Sequence, residues 1–312
     1  MKRYVLFAGF LCLMFSCKFK PDSGRNSNDP AKVYKLKLNP SPGSAYHYDI
    51  INESRIQVEV DDKDVDNLNR TTTGVTYHIS KDSTGNFALN IKYDKVHIYT
   101  KSGDTETDAD AANALVSSEP LERILGILTR SDISVTINPS GEVRGMSGYK
   151  ELGEKIMADM NITDAYSRDI IKTKWDKMIG AAIIRKNMDQ FFKIFPDSVV
   201  RVNDSWKQNS KEEGEINMNV KNIFTLKEIN NDIALINSEA TMNSDTISTF
   251  MGYNDIIANL KGNQEGQFEV NMKTGMLVSC NVKSKVTGTI EMMGREIPVK
   301  ISSKIKIERI KK

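Results

Sequence analysis

The sequence predicts an α+β fold that is mainly antiparallel β: a curved, half-barrel-like sheet packed on a central helical segment. Three observations predict it. Apolar and polar residues alternate with period two over most of the chain, as they do in half-buried strands. Short Gly-containing turns join successive strands, which favours antiparallel meanders over parallel crossovers. Roughly between residues 147 and 195, apolar residues recur at helical spacing instead.

The chain opens with a leader. Lys2 and Arg3 are basic, and Tyr4 to Phe15 carries no charge. Those residues rise about 18 Å as a helix, while a bilayer core needs about 20 residues. The stretch therefore reads as a signal-peptide apolar region over residues 1–16 and not as a span. It stops at Ser16 and Cys17, a small residue followed by a thiol. This resembles the lipobox of bacterial lipoproteins, with the usual Leu one place early at Leu13 and a bulky Phe15. It implies lipidation at Cys17; an uncleaved anchor and an ordinary secretory signal are the competing readings. Each buried CH₂ contributes about 0.8 kcal/mol, so two or more acyl chains on Cys17 anchor firmly. Residues 17–32 are then a polar, flexible tether, and residues 33–312 one α+β domain with its helical insert.

Within that domain Val33 to Leu38 is a short strand candidate and Ser44 to Val60 a long one. Val75, Tyr77 and Ile79 share a face, as do Phe87, Leu89, Ile91 and Tyr93 beyond a polar turn at 82–86. Asp104 to Asp110 reads as an acidic mobile loop. Leu121, Ile124, Leu125 and Leu128 form a helical stripe. Tyr149, Leu152, Ile156 and Met160 form a second. Thr163 is an N-cap candidate for a third helix through Ile183, and Met188, Phe191, Phe192 and Phe195 form a fourth before Pro196. Alternation returns at 216–226, 268–272 and 276–282. It ends in the clearest strand, with Ile297, Val299, Ile301, Ile305 and Ile307 on one face and Lys300, Lys304 and Lys306 on the other. The segment Thr246 to Asn263 breaks the pattern and reads as a lid or a plain connection.

Composition narrows the function classes. The chain has 43 basic and 41 acidic residues. Losing Lys2 and Arg3 with the leader makes the two counts equal, so no basic excess points to nucleic acid. Of three cysteines, Cys12 leaves with the leader and Cys17 takes lipid, so Cys280 has no disulfide partner. Its place in the alternation makes it a packed thiol.

Catalytic and metal motifs are weak. His47, His78 and His97 all fall on the wet face of their strands, so a three-His zinc site is not favoured. Asp62, Asp64 and Asp66 start like a calcium loop, but Asn67 stands where that loop needs Gly and Thr73 where it needs Glu. Ser147 lacks the spacing of a nucleophile elbow. No catalytic residue, metal or cofactor is therefore expected.

Three stretches carry a resemblance: VYKLKLNPSPGSAYHYDI, SDISVTINPSGEVRGMSGYKEL and FFKIFPDSVVRVNDSWKQ. Their landmarks are Gly43, Tyr46 and Tyr48; Asn138, Gly141 and Val143; and Phe195, Pro196, Asp197, Asp204, Ser205 and Trp206. The chain resembles an uncharacterised family of lipoproteins from Gram-negative bacteria over about residues 33–310. The resemblance implies no known activity. At one further remove the plan is similar to carriers of lipidated proteins, an analogy of fold alone. The expectation is a non-enzymatic envelope lipoprotein, anchored to the membrane through Cys17 at the outer membrane, that binds an apolar ligand such as a lipid on the concave sheet face. The alternative is a scaffold with a filled core that binds a protein partner through a strand edge or the lysine face of the last strand.

Overall fold

The computed structural model describes residues 31–311 apart from 61–62, 170–171, 173–180, 213–215, 246, 251–252 and 293. The leader, Cys17, Asp62 and about half of the third expected helix lie outside the described residues.

Strands dominate. They are β1 (Ala45–Val60), β2 (Lys63–Lys81), β3 (Phe87–Ser102), β4 (Thr105–Asp110), β5 (Ile133–Ile137), β6 (Val143–Ser147) and β7 (Ser205–Glu212), then β8 (Met218–Asn230), β9 (Ile233–Ser244), β10 (Ile247–Phe250), β11 (Tyr253–Asn271), β12 (Leu277–Met292) and β13 (Arg295–Ile310). All belong to one sheet of order β6-β5-β3-β2-β1-β13-β12-β11-β9-β8-β7, with β4 on β3 and β10 on β11. Short helices accompany it, among them α1 (Pro120–Thr129), α2 (Tyr149–Asp159) and α3 (Ala181–Phe192), and residues 165–169 are helical too.

This corrects the expected α+β class. The chain is 59% strand and 15% helical, mostly antiparallel β in one large open sheet, and not a half-barrel built around a central helical segment. Helical stripes show where helices form but not how much of the fold they make. Two segments read as loops are strands. The acidic stretch 104–110 pairs with β3 as β4, where a solvated edge needs no apolar face. The segment 246–263 supplies β10 and much of β11. Ile256, Ala258 and Leu260 do alternate inward there, but Ile257, 46% exposed, blurs the pattern.

The sheet is two meanders, β1 to β6 and β7 to β13, joined by β1 pairing antiparallel with β13 from His47↔Ile310 to Val58↔Val299. Its inner face carries two apolar clusters. The larger gathers Tyr48, Tyr77, Leu89, Ile236 and Phe268 of the sheet with Leu125 of α1, Leu152 of α2 and Phe192 of α3. Rings of Tyr48, Tyr77, Phe191 and Phe192 meet mostly edge to face, with centroids 5.7–6.2 Å apart. The second cluster, with Val58, Val220, Met242, Leu260, Ile290 and Val299, lies toward the other end of the long strands. A belt of small and polar inward residues separates them, where the Ser284 and Ser303 hydroxyls are 2.7 Å apart.

The landmarks of the resemblance are structural. Asn138 Oδ1 accepts from the backbone N–H groups of Ser140 and Glu142, closing the β5–β6 turn. Gly141 there has φ +86°, and a Cβ would sit 2.0 Å from the Phe192 carbonyl oxygen at the end of α3. Asn203 takes φ 73°. The Asp204 carboxylate accepts from the Arg201 N–H, and the Trp206 indole N–H donates to the Ile194 carbonyl at 3.1 Å. Tyr34, Leu36 and Leu38 are buried as their alternation predicts. The segment forms no strand, because its backbone partners come from three separate places: Tyr34 pairs with Val200, the Leu38 N–H donates to the Pro139 carbonyl, and the Asn39 N–H donates to the Thr274 carbonyl.

Candidate functional site

Residues singled out for chemistry do not converge. His47, His78 and His97 stand on β1, β2 and β3 on the outer face. His47 Nδ1 lies 2.7 Å from the Thr76 hydroxyl, which donates onward to Asp94 Oδ2 at 2.5 Å. That hydroxyl's one proton points at Asp94, so the ring donates to Thr76 and does not activate it. His97 pairs with Asp108 across β3 and β4. Asp66 is bound to Arg55. Among the described residues no three His, Cys, Asp or Glu side chains are placed to hold a metal. Cys280 is 3% exposed, and burial pushes its thiol up to about 12. The carboxyl of Glu122 is held below its usual range by Ser117, Asn113 and the Asp110 N–H, as befits a charge that braces the start of α1.

Among the concavities of the described residues, two bear on function. On the outer face a trough of about 690 Å³ crosses β1, β2, β11, β12 and β13, lined by Glu53, Arg55, Glu265, Lys283, Lys285 and Lys304 among others. Period-two geometry puts these residues on the solvent side, and the register aligns them. Glu265 faces Lys283, Lys283 faces Lys304, and Lys304 faces Glu53. Like charges directly opposite are unfavourable by roughly 0.2–1 kcal/mol, so the Lys283–Lys304 pair is a local cost at the trough's centre. Arg70 holds Glu53 at 2.6 Å and Arg55 holds Asp66 at 2.8 Å. Among the described residues Lys283, Lys285 and Lys304 form no ion pair within 4 Å, as do Lys261 and Lys300 just beyond. The lysine face of β13 was legible in the sequence. Lys283 and Lys285 were not singled out, although NVKSKV shows the same alternation on β12.

On the inner face a cleft of about 90 Å³ opens where the larger cluster gives way to the polar belt. Its lining includes the apolar Phe224, Phe268, Val282 and Ile305 and the polar Gln208, Asn222, Ser238 and Gln264. Asp189 and Lys193, at and just past the end of α3, stand at its rim, and burial raises the Asp189 carboxyl. Gln208 donates through Nε2 to the Phe195 carbonyl at 2.6 Å. Among the described residues its Oε1 and the Ser238 hydroxyl are buried without a hydrogen-bond partner. Each such group costs about 1–3 kcal/mol. Sequence reasoning missed this place. Its signal was Ser238, a polar residue at an inward position between Ile236 and Ala240.

Among the described residues no helix is long and apolar enough to cross a membrane. A family model described as a family of unknown function (DUF6263) matches residues 84–277. A search of the curated proteins gives no match. Two solved structures superpose poorly. The crystal structure of Pseudomonas aeruginosa OccK5 (OpdH) is 6% identical, covers 87% of this chain and 100% of its own, and has a TM-score of 0.18. The outer membrane protein opdK from the same organism is 5% identical, with 86% and 99% coverage and a TM-score of 0.12. Scores this low carry no argument.

Proposed function

The chain belongs to DUF6263, a family of unknown function, and from its own geometry we propose a membrane-anchored, non-catalytic envelope protein that docks a protein partner's acidic segment. The observation that carries the reading is the trough, with Lys283 opposite Lys304 and Lys285 beside them. An acidic segment laid there relieves the like-charge contact and meets lysines left without ion pairs. A concave floor suits a chain segment better than a flat bilayer. Charged side chains, Glu53, Arg55, Glu265, Lys283, Lys285 and Lys304, line the trough and would have to be desolvated by an acyl tail, which disfavours that occupant.

The leader supports the anchor: Cys17 takes the lipid, and the tether lets the sheet stand off the outer membrane. The titratable groups support a non-catalytic role. The carboxyls of Asp82 and Asp245 are held low by hydrogen bonds from Thr84 and Lys211, as in ordinary turns and ion pairs. The inner cleft, about 90 Å³, is too small to enclose an acyl chain, whose pockets start at roughly 300 Å³. A lipid tail is therefore a poorer reading than a docked partner.

The test is made in the intact envelope. A benzophenone amino acid at Ser302, inside the trough, is expected to cross-link one partner, and the product should vanish in Lys283→Glu/Lys304→Glu. The same probe at Ile223, on the outer face of β8, is the control. Equal products from both positions, or a product that survives the double reversal, would remove the proposal. The anchor is checked separately: Cys17→Ser should no longer take up labelled fatty acid.

A further inference from the structure

We infer that the inner cleft is a binding site for a small neutral amphiphile, an apolar body carrying one O–H or N–H donor. It lies on the opposite face of the sheet from the trough and does not rest on the docking proposal.

Two unpartnered groups carry the inference. Ser238 is 3% exposed, and among the described residues its hydroxyl has no hydrogen-bond partner. Gln208 spends its amide N–H on the Phe195 carbonyl, which leaves Oε1 as a buried acceptor. Both residues line the cleft. Folded proteins pair nearly all their buried polar groups, so two unpaired ones lining one cleft point to a ligand that completes them. A donor on that ligand satisfies Gln208 Oε1, and its own oxygen or nitrogen meets the Ser238 hydroxyl.

The floor is shaped for an occupant. At Gly266 a Cβ would lie 2.4 Å from the Ser238 hydroxyl oxygen, 2.9 Å from Phe268 and 3.2 Å from Val282. Glycine there keeps hydroxyl and apolar wall close together. The apolar part of the lining, Phe224, Phe268, Val282 and Ile305, is uncharged and takes the apolar body. Charge does not select the ligand. Lys211 at the rim is bound to Asp245 at 2.7 Å, and Asp189 and Lys193 carry opposite signs. About 90 Å³ is less than the roughly 150 Å³ cavity that encloses benzene. The ligand is therefore partly engaged, its polar end inside and its remainder at the open rim.

The test is a ¹⁹F NMR titration of residues 18–312 with 4-fluorophenol and, separately, fluorobenzene, which has nearly the same body and no donor. The phenol is expected to bind about tenfold more tightly, the worth of one such hydrogen bond. Ser238→Ala and Gln208→Leu should each bring the phenol down toward the fluorobenzene level. Because the Ser238 hydroxyl has no partner among the described residues, Ser238→Ala should unfold at or above the wild-type midpoint. Equal affinities for the two probes, no saturable binding of the phenol, variants that bind it as wild type does, or a Ser238→Ala protein that fails to fold would each overturn the inference.

Discussion

At Cys280 the sequence and the packing give the same chemistry. Alternation turns the side chain inward, and burial holds the thiol up to about 12 against an ordinary 9.0. A thiol raised in the fold ionises first in the unfolded chain, so its contribution to stability is whole below about pH 9 and is lost as pH rises toward 12. Stability should fall across that window, and Cys280→Ala should flatten part of the fall in denaturant titrations. The native protein should also resist a thiol reagent that labels it at once when unfolded; rapid native labelling would contradict the assigned burial. Gly275 makes a second prediction. It has φ +68°, and a Cβ would lie 2.2 Å from the Lys37 carbonyl oxygen. Gly275→Ala should cost more than about 1 kcal/mol, read as a shift in the denaturation midpoint. Cys280 and the Gly turns were legible because alternation and left-handed turns leave local marks. Ser238 and Gln208 were not, because an unpaired polar group is defined by what distant strands fail to supply.

The helix α3 shows what one element contributes. Its rings press Phe191 and Phe192 onto Tyr48 and Tyr77, and Gly141 of the β5–β6 turn packs on its last carbonyl. Phe192 is 1% exposed. Phe192→Ala should therefore cost about 3–5 kcal/mol; a loss below 1 kcal/mol would mean that α3 is not a working part of the core. The stripe of Met188, Phe191, Phe192 and Phe195 announced this helix, which ends at Phe192 and leaves Phe195 beyond it. The strands at 105–110 and 247–260 were harder to read. β4 has no apolar face to alternate, and β11 hides its inward residues behind Ile257 and behind Gly262 and Gly266 at inward positions.

On the scale of the whole molecule, β1 and β13 are the seam that makes two meanders one sheet, joining residues near opposite ends of the chain. Such long-range pairing is slow to form and leaves long edges if it fails. Removing residues 295–312 should expose β1 and β12 and turn the protein to aggregates on size exclusion; a folded monomeric truncation would show the seam to be dispensable. Local alternation could not place β1 beside β13, because register between distant strands is set by the whole sheet and not by either strand alone. That seam also assembles the trough, since Lys304 and Glu53 meet only across it, and so the proposed docking face depends on the complete fold. The most direct measurement is fluorescence anisotropy of a short labelled polyglutamate peptide titrated with residues 18–312. The account predicts saturable binding that weakens as ionic strength rises and is lost in Lys283→Glu/Lys304→Glu. Absence of saturable binding, or binding unchanged by the double reversal, would contradict it.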